Sequence, residues 1–221
     1  MSPRPNNQRL LKLIEQTREP APLSARKREM LQATLRIIQR GGFEALSLRR
    51  VAEQVGVKLS SVQYHFGNKD GLIAALINWA LDWYSQELLE LVVKHEDNPT
   101  RCFKAIINYL VDDLARRTGT EPHLWAYAMH SSEAASHRER YLLVYRTFLY
   151  ELLTRLGTIQ SNKVRRLRAA SITALIEGSY QLLSNGRPGD LHGYTKELKA
   201  MIFELAGLDN PGRTRAQAAT I

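Results

Sequence analysis

The chain has 221 residues, 44% of them hydrophobic and 24% charged, a composition that excludes a fibrous or largely disordered protein and favours a compact globular fold. Its 31 Lys and Arg residues against 22 Asp and Glu residues give a net charge of +9. Residues 1–75 hold 13 of the basic residues but only six of the acidic ones. The positive excess therefore lies in the first third of the chain, and a cationic surface of this kind attracts nucleic acid or acidic membranes.

Several other classes of protein receive no support. No apolar stretch approaches the roughly 18 to 20 residues that a membrane span requires. Cys102 is the single cysteine, so it cannot form an internal disulfide, and we interpret it as a small buried side chain. No nucleophile–base pair or phosphate-binding loop is recognisable. We therefore expect a cytoplasmic protein that is not an enzyme and has no cofactor.

The chain begins with a proline-containing segment and a first helix. Residues 1–23 carry four prolines and scattered basic residues, which predicts a flexible basic arm with a short helix near residues 9–15. Ser24 is then placed to cap a helix with apolar residues at helical spacing, and Gly41 and Gly42 end it.

Two shorter helices follow in close succession. Ser47 caps the first of them, and Gly56 ends it after one apolar stripe. In the next segment Leu59, Val62 and Phe66 are predicted to form an inward apolar face. Two short helices joined by a tight glycine-containing turn are typical of a helix-turn-helix, whose second helix lies in a DNA major groove.

The remainder is predicted to be helical as well. Gly67 ends the third helix and Asn68 caps the fourth. Beyond this point helical periodicity recurs without a convincing strand signal, so the predicted fold class is all-α. The breaks in the pattern, one of them near Ser136, predict helices at residues 69–96, 99–118, 121–134, 137–157, 163–185 and 191–206.

Residues 25–75 resemble the DNA-binding domain of the TetR (tetracycline-repressor-like) family of bacterial transcription regulators. The first matching features are a Gly-aromatic pair, Gly42-Phe43, and a hydroxyl residue at a helix start, Ser47. A small residue, Ala52, then precedes a Gly-Val turn, Gly56-Val57. The last feature is a Tyr-His-Phe segment followed by Lys, at Tyr64-His65-Phe66 and Lys69. The resemblance implies four segments, a flexible basic arm, a helix-turn-helix domain, a helical ligand-binding and dimerisation domain and a polar tail, at residues 1–23, 24–68, 69–209 and 210–221.

The resemblance also implies which side chains meet DNA. Hydroxyl, ring N–H and ammonium groups donate to phosphate oxygens, and the positions that match the family's backbone contacts are Ser47, Tyr64, His65 and Lys69. Base readout is assigned to the positions on the two short helices that carry donors and acceptors, Arg49, Ser60, Ser61 and Gln63. Many family members differ at Ser60 and Gln63, so the operator preference cannot be inferred from theirs.

One of these assignments has a structural alternative. Ser60 and Gln63 also fit an S-x-x-Q capping box, in which Gln63 folds back onto the Ser60 amide instead of reaching a base. Leu59 replaces a residue that is commonly polar in the family, which removes one potential base contact. Basic residues of the arm, Arg4, Arg9 and Lys12, can either enter a minor groove or remain solvated.

The helical body is expected to bind a small molecule and to dimerise. The candidate pocket residues are large aromatic side chains and one carboxylate, Trp83, Phe103, Trp125, Tyr145, Phe148, Glu177 and Tyr180. In the family the last two long helices form a four-helix bundle with a second subunit. The apolar residues expected at that interface are Leu167, Ala170, Ala174, Leu175, Leu198, Met201, Ile202 and Leu205.

Three histidines have a regular spacing that does not suit a metal site. His123, His130 and His137 lie seven residues apart, and positions i and i+7 of a helix are about 10 Å apart, too far to share one ion. No metal site is predicted.

The resulting hypothesis is a homodimeric, sequence-specific transcriptional repressor with no membrane association. It binds a palindromic double-stranded DNA operator and leaves it when an unidentified small-molecule effector binds. The alternative is a DNA-binding architectural or protein-interaction factor without a small-molecule ligand.

Overall fold

The computed structural model describes residues 5–15, 23–116, 132–184 and 189–208, and every regular element in these ranges is an α-helix. None of the described helices is both long and apolar enough to span a bilayer. The all-α fold class is therefore confirmed. The helices are α1 Pro5–Glu15, α2 Ala25–Gly41, α3 Leu48–Val55, α4 Leu59–Phe66, α5 Lys69–Lys94, α6 Pro99–Arg116, α7 Ser132–Leu156, α8 Asn162–Ser184 and α9 Leu191–Leu205.

Side-chain caps start α2, α3 and α5 as predicted. The Ser24 hydroxyl oxygen accepts a hydrogen bond from the backbone N–H of Lys27. Ser47 accepts one in the same way from Arg50, at 3.2 Å. At the start of α5 the Asn68 carboxamide oxygen accepts from the backbone N–H of Gly71, at 2.8 Å. Each cap satisfies an amide that has no partner inside its helix.

Glycine ends both short helices because the backbone turns there into the left-handed region. Gly56 and Gly67 each have a φ of 71°, and Gly56 adopts the αL conformation. An L-residue pays roughly 1–2 kcal/mol for that conformation, whereas glycine does not. The Val57 amide then donates to the Ala52 carbonyl oxygen, closing the turn before α4. This turn sets the direction in which α4 leaves α3.

The chain divides into two compact units, and the first comprises residues 1–90 and 117–145. In it α2 packs against α3, and α3 against α4. The apolar stripes of these helices meet in one core that also includes the first turns of α5, so the packing continues across residues 68 and 69. The buried members are Met30, Leu31, Ala33, Ile37, Ile38, Leu46, Val51, Ala52, Val62, Phe66, Leu72, Ile73 and Leu76.

The second unit comprises residues 91–116 and 146–221. In it α6 packs against α8 and α9, and α8 packs against α9. A buried guanidinium, that of Arg155, donates to the Cys102 sulfur at 3.2 Å, to the His95 carbonyl oxygen at 3.1 Å and to the Glu96 carbonyl oxygen. These bonds connect the end of α7, the start of α6 and the segment that follows α5.

Two predicted boundaries are wrong. The break near Ser136 does not exist, because α7 runs unbroken from residue 132 to 156; the Ser-Ala segment there contains neither Gly nor Pro to end a helix. The short helix near residues 9–15 begins at Pro5, and its Leu10 is fully buried. Pro5 at the first helical position needs no amide partner. The helix expected at 121–134 lies mostly outside the described residues, as does the tail at 210–221.

Candidate nucleic-acid interface

Helix α4 is eight residues long and has one buried face and one exposed polar face. Val62 is fully buried and Phe66 is 7% exposed, and both belong to the core of the first unit. On the opposite side Ser60 and Tyr64 are exposed, and Tyr64 retains 86% of its surface. An aromatic residue so exposed adds little to folding. Its hydroxyl is available to an external acceptor.

The first turn of α4 differs from the prediction at Leu59. This side chain is not inward: it is 37% exposed, whereas Val62 one turn later is completely buried. Leu59 is the first residue of α4 and is not part of the core that Val62 and Phe66 enter, so its side chain keeps contact with solvent. The predicted inward face of α4 therefore consists of two residues.

The capping-box alternative for Gln63 is wrong. The N-cap of α4 is Lys58, which makes no side-chain cap bond, and α4 begins at Leu59. Ser60 is thus already the second helical residue, whereas a capping box requires the hydroxyl residue to stand at the N-cap. The backbone N–H of Ser61, a half-buried residue, donates to the Lys58 carbonyl oxygen at 3.0 Å. Gln63 is exposed on the surface of the helix.

The start of α3 presents a hydroxyl and a guanidinium side by side. Because the Ser47 oxygen already accepts from the Arg50 amide, its O–H remains able to donate to a phosphate. Arg49 is exposed on the first turn. Arg50, which the sequence did not single out, donates to the Ala45 carbonyl oxygen at 3.1 Å and so fixes the loop before α3. Two adjacent arginines at the start of a helix give no sequence pattern that tells which one bonds to the backbone of the preceding loop and which one is exposed.

Lys69 has an intramolecular partner that the sequence did not reveal. Its ammonium group donates to the Phe43 carbonyl oxygen at 2.8 Å, across 26 residues of sequence. An ammonium has three N–H donors, so two remain for a phosphate oxygen. The residue predicted to contact DNA thus also joins the start of α5 to the loop between α2 and α3.

His65 lies at the edge of the polar face. Its side chain is half-buried, and its ring makes an edge-on contact with the Tyr64 ring, with centroids 5.3 Å apart. The Phe66 ring is 6.1 Å from it on the other side, and the Lys27 ammonium is 5.8 Å from the Phe66 centroid. Packing of this kind fixes the imidazole orientation beside the exposed tyrosine.

Residues 30–76 match the sequence model of the bacterial regulatory proteins of the tetR family. The HTH-type transcriptional regulator BetI of Vibrio atlanticus is 26% identical over 159 residues, which cover 69% of this chain and 77% of that protein. BetI of Stenotrophomonas maltophilia is 29% identical over 118 residues, covering 50% of this chain and 58% of the relative, little more than half its length. Residues 30–76 are therefore a DNA-binding domain of the TetR-family type.

Solved structures agree in fold. A TetR transcriptional regulator from Legionella pneumophila has a TM-score of 0.67 at 17% identity, over 82% of this chain and 98% of that one. NalD, the secondary repressor of the MexAB-OprM multidrug efflux pump in Pseudomonas aeruginosa, has a TM-score of 0.62 at 19% identity, over 90% and 99% of the two chains. The TetR-family arrangement of an N-terminal helix-turn-helix followed by a helical body is thus present.

The residues expected to line a TetR-family ligand pocket are mostly buried where the structure describes them. Phe103, Phe148 and Tyr180 belong to the second unit, and Tyr180 donates from its hydroxyl to the Asp113 carboxylate at 3.3 Å. Glu177 is half-buried there, and Tyr145 is buried in the first unit. Trp125 and the side chain of Trp83 lie outside the described residues, as do the side chains of His123, His130 and His137. Their role in binding a ligand stays a prediction.

The residues expected at a TetR-family dimer interface fall into two groups. Leu198 and Ile202 are buried within the single chain and belong to its own core, and Ala170, Leu175 and Leu205 are half-buried. The exposed group comprises Leu167, at 59%, with Ala174 and Met201. Two further apolar residues of α8, Val164 and Leu182, are also exposed, so that apolar side chains lie on the surface along the length of this helix.

Proposed function

We propose that this chain is a homodimeric repressor of the TetR family that binds a palindromic operator and is released from it by a small molecule. The observation that carries the proposal is the exposed polar face of α4, which two buried residues, Val62 and Phe66, hold on the core of the first unit. This face makes little contribution to the core and is available to an external partner. The clustered positive charge of residues 1–75 matches DNA as that partner.

Two classes of contact follow from the chemistry of the exposed side chains. Phosphate contacts from Ser47, Tyr64, His65 and Lys69 fix the position of the domain on the duplex without reading sequence. Base contacts come from Arg49, Ser60, Ser61 and Gln63. Arg pairs bidentately with guanine and Gln with adenine, and each such pair is worth about 1–3 kcal/mol of discrimination. Operator binding requires the bacterial cytoplasm, where the DNA lies, and involves no catalysis.

Dimerisation supplies the second half of the operator contact. The proposed interface is the exposed apolar face of α8, defined by Val164, Leu167, Ala174 and Leu182, together with Met201 on α9. A two-fold axis makes such an interface self-complementary and matches a palindromic site with half-sites about one helical turn apart. Leu198 and Ile202 are buried within the single chain and are not part of this exposed face.

Release follows if an effector binds one spacing of the two α4 helices better than another. The proposed lining of the effector site is the group of buried and half-buried residues in the second unit, Phe103, Phe148, Glu177 and Tyr180. Among the similar structures, NalD is described as a repressor of an efflux pump. For this chain we propose regulation by a small organic effector.

Binding to the DNA upstream of the protein's own gene tests the proposal. A gel-shift titration should show a discrete complex that resists unrelated competitor DNA. Arg49→Ala and Tyr64→Ala should each weaken it at least tenfold, whereas Arg101→Ala, an exposed arginine on α6, should leave it unchanged. Equal affinity for all sequences would support the architectural alternative instead. The absence of a specific complex on this DNA, and on sequences selected from a random library, would disprove the repressor.

A further inference from the structure

We infer that Leu59 recognises the 5-methyl group of a thymine next to the base that Gln63 contacts. The inference rests on the proposed operator binding and assigns a base preference to one residue. Its starting point is that Leu59 is exposed at the first turn of α4 although it is apolar.

Exposure alone does not make a leucine functional, since isolated apolar side chains are common on protein surfaces. The position of Leu59 on the helix-turn-helix is what indicates a function. Among the described residues, the exposed large apolar side chains of the helix-turn-helix are Leu59 and Tyr64 only; the remaining ones lie on α5, α7, α8 and α9. Leu59 therefore lies on the element proposed to enter the groove, at its N-terminal end. Residues at the N-terminal end of a recognition helix are the ones that meet base edges.

Leu59 and Gln63 are also neighbours on the surface of α4. Residues four apart on a helix have Cβ atoms about 5–6 Å apart, so these two side chains form one patch. Gln63 is exposed and is not engaged in a capping box, because the N-cap of the helix is Lys58. A carboxamide and a branched alkyl group thus approach the same short stretch of groove.

The major groove offers this patch one matching surface. Thymine alone presents an apolar group there, its 5-methyl, while adenine presents the donor and acceptor that a glutamine amide can pair with. A leucine has no hydrogen-bonding group and desolvates any polar base edge that it covers, at a cost. The pair therefore favours adjacent A·T base pairs, with Leu59 against the methyl group.

Replacing thymine by uracil tests the contact because it removes only the methyl group. Full-length protein is used to select binding DNA from a randomised library. The selected site is then synthesised with one thymine at a time, in both half-sites, changed to deoxyuridine. At one symmetric position we expect about a fourfold loss of affinity per methyl group, and about fifteenfold when both half-sites are changed.

Variants of the protein test whether the loss of affinity on replacing thymine by uracil depends on Leu59. Leu59→Ala should bind the thymine and uracil sites equally, and Leu59→Met, which keeps an apolar side chain, should retain most of the difference. Val93→Ala is the control, an exposed apolar residue on α5 that should retain the full difference. The ratio of the two affinities is measured on one protein preparation, so a partial loss of folded protein cancels.

The outcomes distinguish a failure of the thymine contact from a failure of operator binding. If no uracil substitution weakens a specific complex, or if Leu59→Ala keeps the full difference, the thymine contact is disproved while operator binding stands. If no sequence is selected at all, both the operator and the thymine contact are disproved.

Discussion

The ammonium group of Lys69 donates a hydrogen bond to the carbonyl oxygen of Phe43, with 2.8 Å between the two atoms. The bond joins the first residue of α5 to the loop between α2 and α3, so it stabilises the fold of the unit that carries α4. A residue expected only to contact phosphate therefore has a second role.

Lys69→Met should remove that role and lower the free energy of unfolding by about 1 kcal/mol, because the Phe43 carbonyl loses a charged donor. Urea denaturation followed by circular dichroism measures this. Lys58→Met is the matched control: Lys58 is exposed at the N-cap of α4, where a cation is disfavoured by the helix dipole, so its removal should cost nothing. Equal stability of Lys69→Met and the unmodified protein would show that the bond contributes nothing.

Neighbouring residues of α4 should separate stability from DNA binding. Val62→Ala removes fully buried methyl groups and should cost about 2 kcal/mol in unfolding free energy. Gln63→Ala changes an exposed side chain and should leave stability within about 0.5 kcal/mol, yet weaken specific DNA binding about tenfold. Denaturation curves and fluorescence anisotropy on labelled DNA measure the two quantities. A large stability loss in Gln63→Ala would contradict the assignment of its face.

The buried Arg155 should be one of the most sensitive positions of the second unit. Arg155→Met keeps an unbranched apolar stem but leaves the His95 and Glu96 carbonyl oxygens without their charged donor, which should cost about 3 kcal/mol. Thermal unfolding of the two proteins tests this. Arg166→Met, at an exposed position of α8, should have little effect. A small effect at both positions would show that water replaces the Arg155 bonds.

The thiol of Cys102 should be protected and should make stability depend on alkaline pH. Burial raises the pKa of Cys102 above its ordinary value of 9.0, although the charge and hydrogen bond of Arg155 act in the opposite direction. In the unfolded chain the thiol therefore ionises at a lower pH than in the folded one. The unfolded state loses its proton first, so the unfolding free energy falls as pH rises above 9.0.

Denaturation between pH 8 and 10 should thus show a smaller decline in Cys102→Ala than in the unmodified protein. Native Cys102 should react with a disulfide reagent at pH 8 at least 100-fold more slowly than the unfolded chain, because the thiol is fully buried. Rapid labelling of the native protein would contradict the burial.

The exposed apolar face of α8 predicts the effect of a charge there. Leu167→Glu places a carboxylate at the most exposed leucine of the proposed interface and should convert a dimer to a monomer at micromolar concentration. Native mass spectrometry measures the assembly. Leu143→Glu, with an exposed leucine of similar accessibility on α7, should remain dimeric. If both variants dimerise normally, the interface lies elsewhere.

Much of the helix-turn-helix is predictable because its signals are local. Ser24, Ser47 and Asn68 each cap a helix through a bond that spans three residues, and these caps are confirmed. Gly56 and Gly67 end helices for reasons that depend on their own φ angle. Such features need no knowledge of the rest of the fold.

The errors arise where the outcome depends on residues far along the chain. The exposure of Leu59 is set by where the core ends, and periodicity alone cannot locate that end. The bond between Lys69 and Phe43 crosses 26 residues and has no sequence pattern. The break predicted near Ser136 is an error of a different kind. Serine permits a helix, and no residue of that segment forbids one, so local sequence gave no reason for a break.

The separation of α4 into a buried pair and an exposed row has an evolutionary consequence. Val62 and Phe66 constrain the fold, whereas Ser60 and Gln63 make little contribution to it and are free to vary. If this exposed row reads the operator as proposed, a duplicated gene could acquire a new operator by one or two substitutions there without first gaining stability to tolerate them. Divergence of regulatory networks would then be limited by the DNA sites available rather than by the protein.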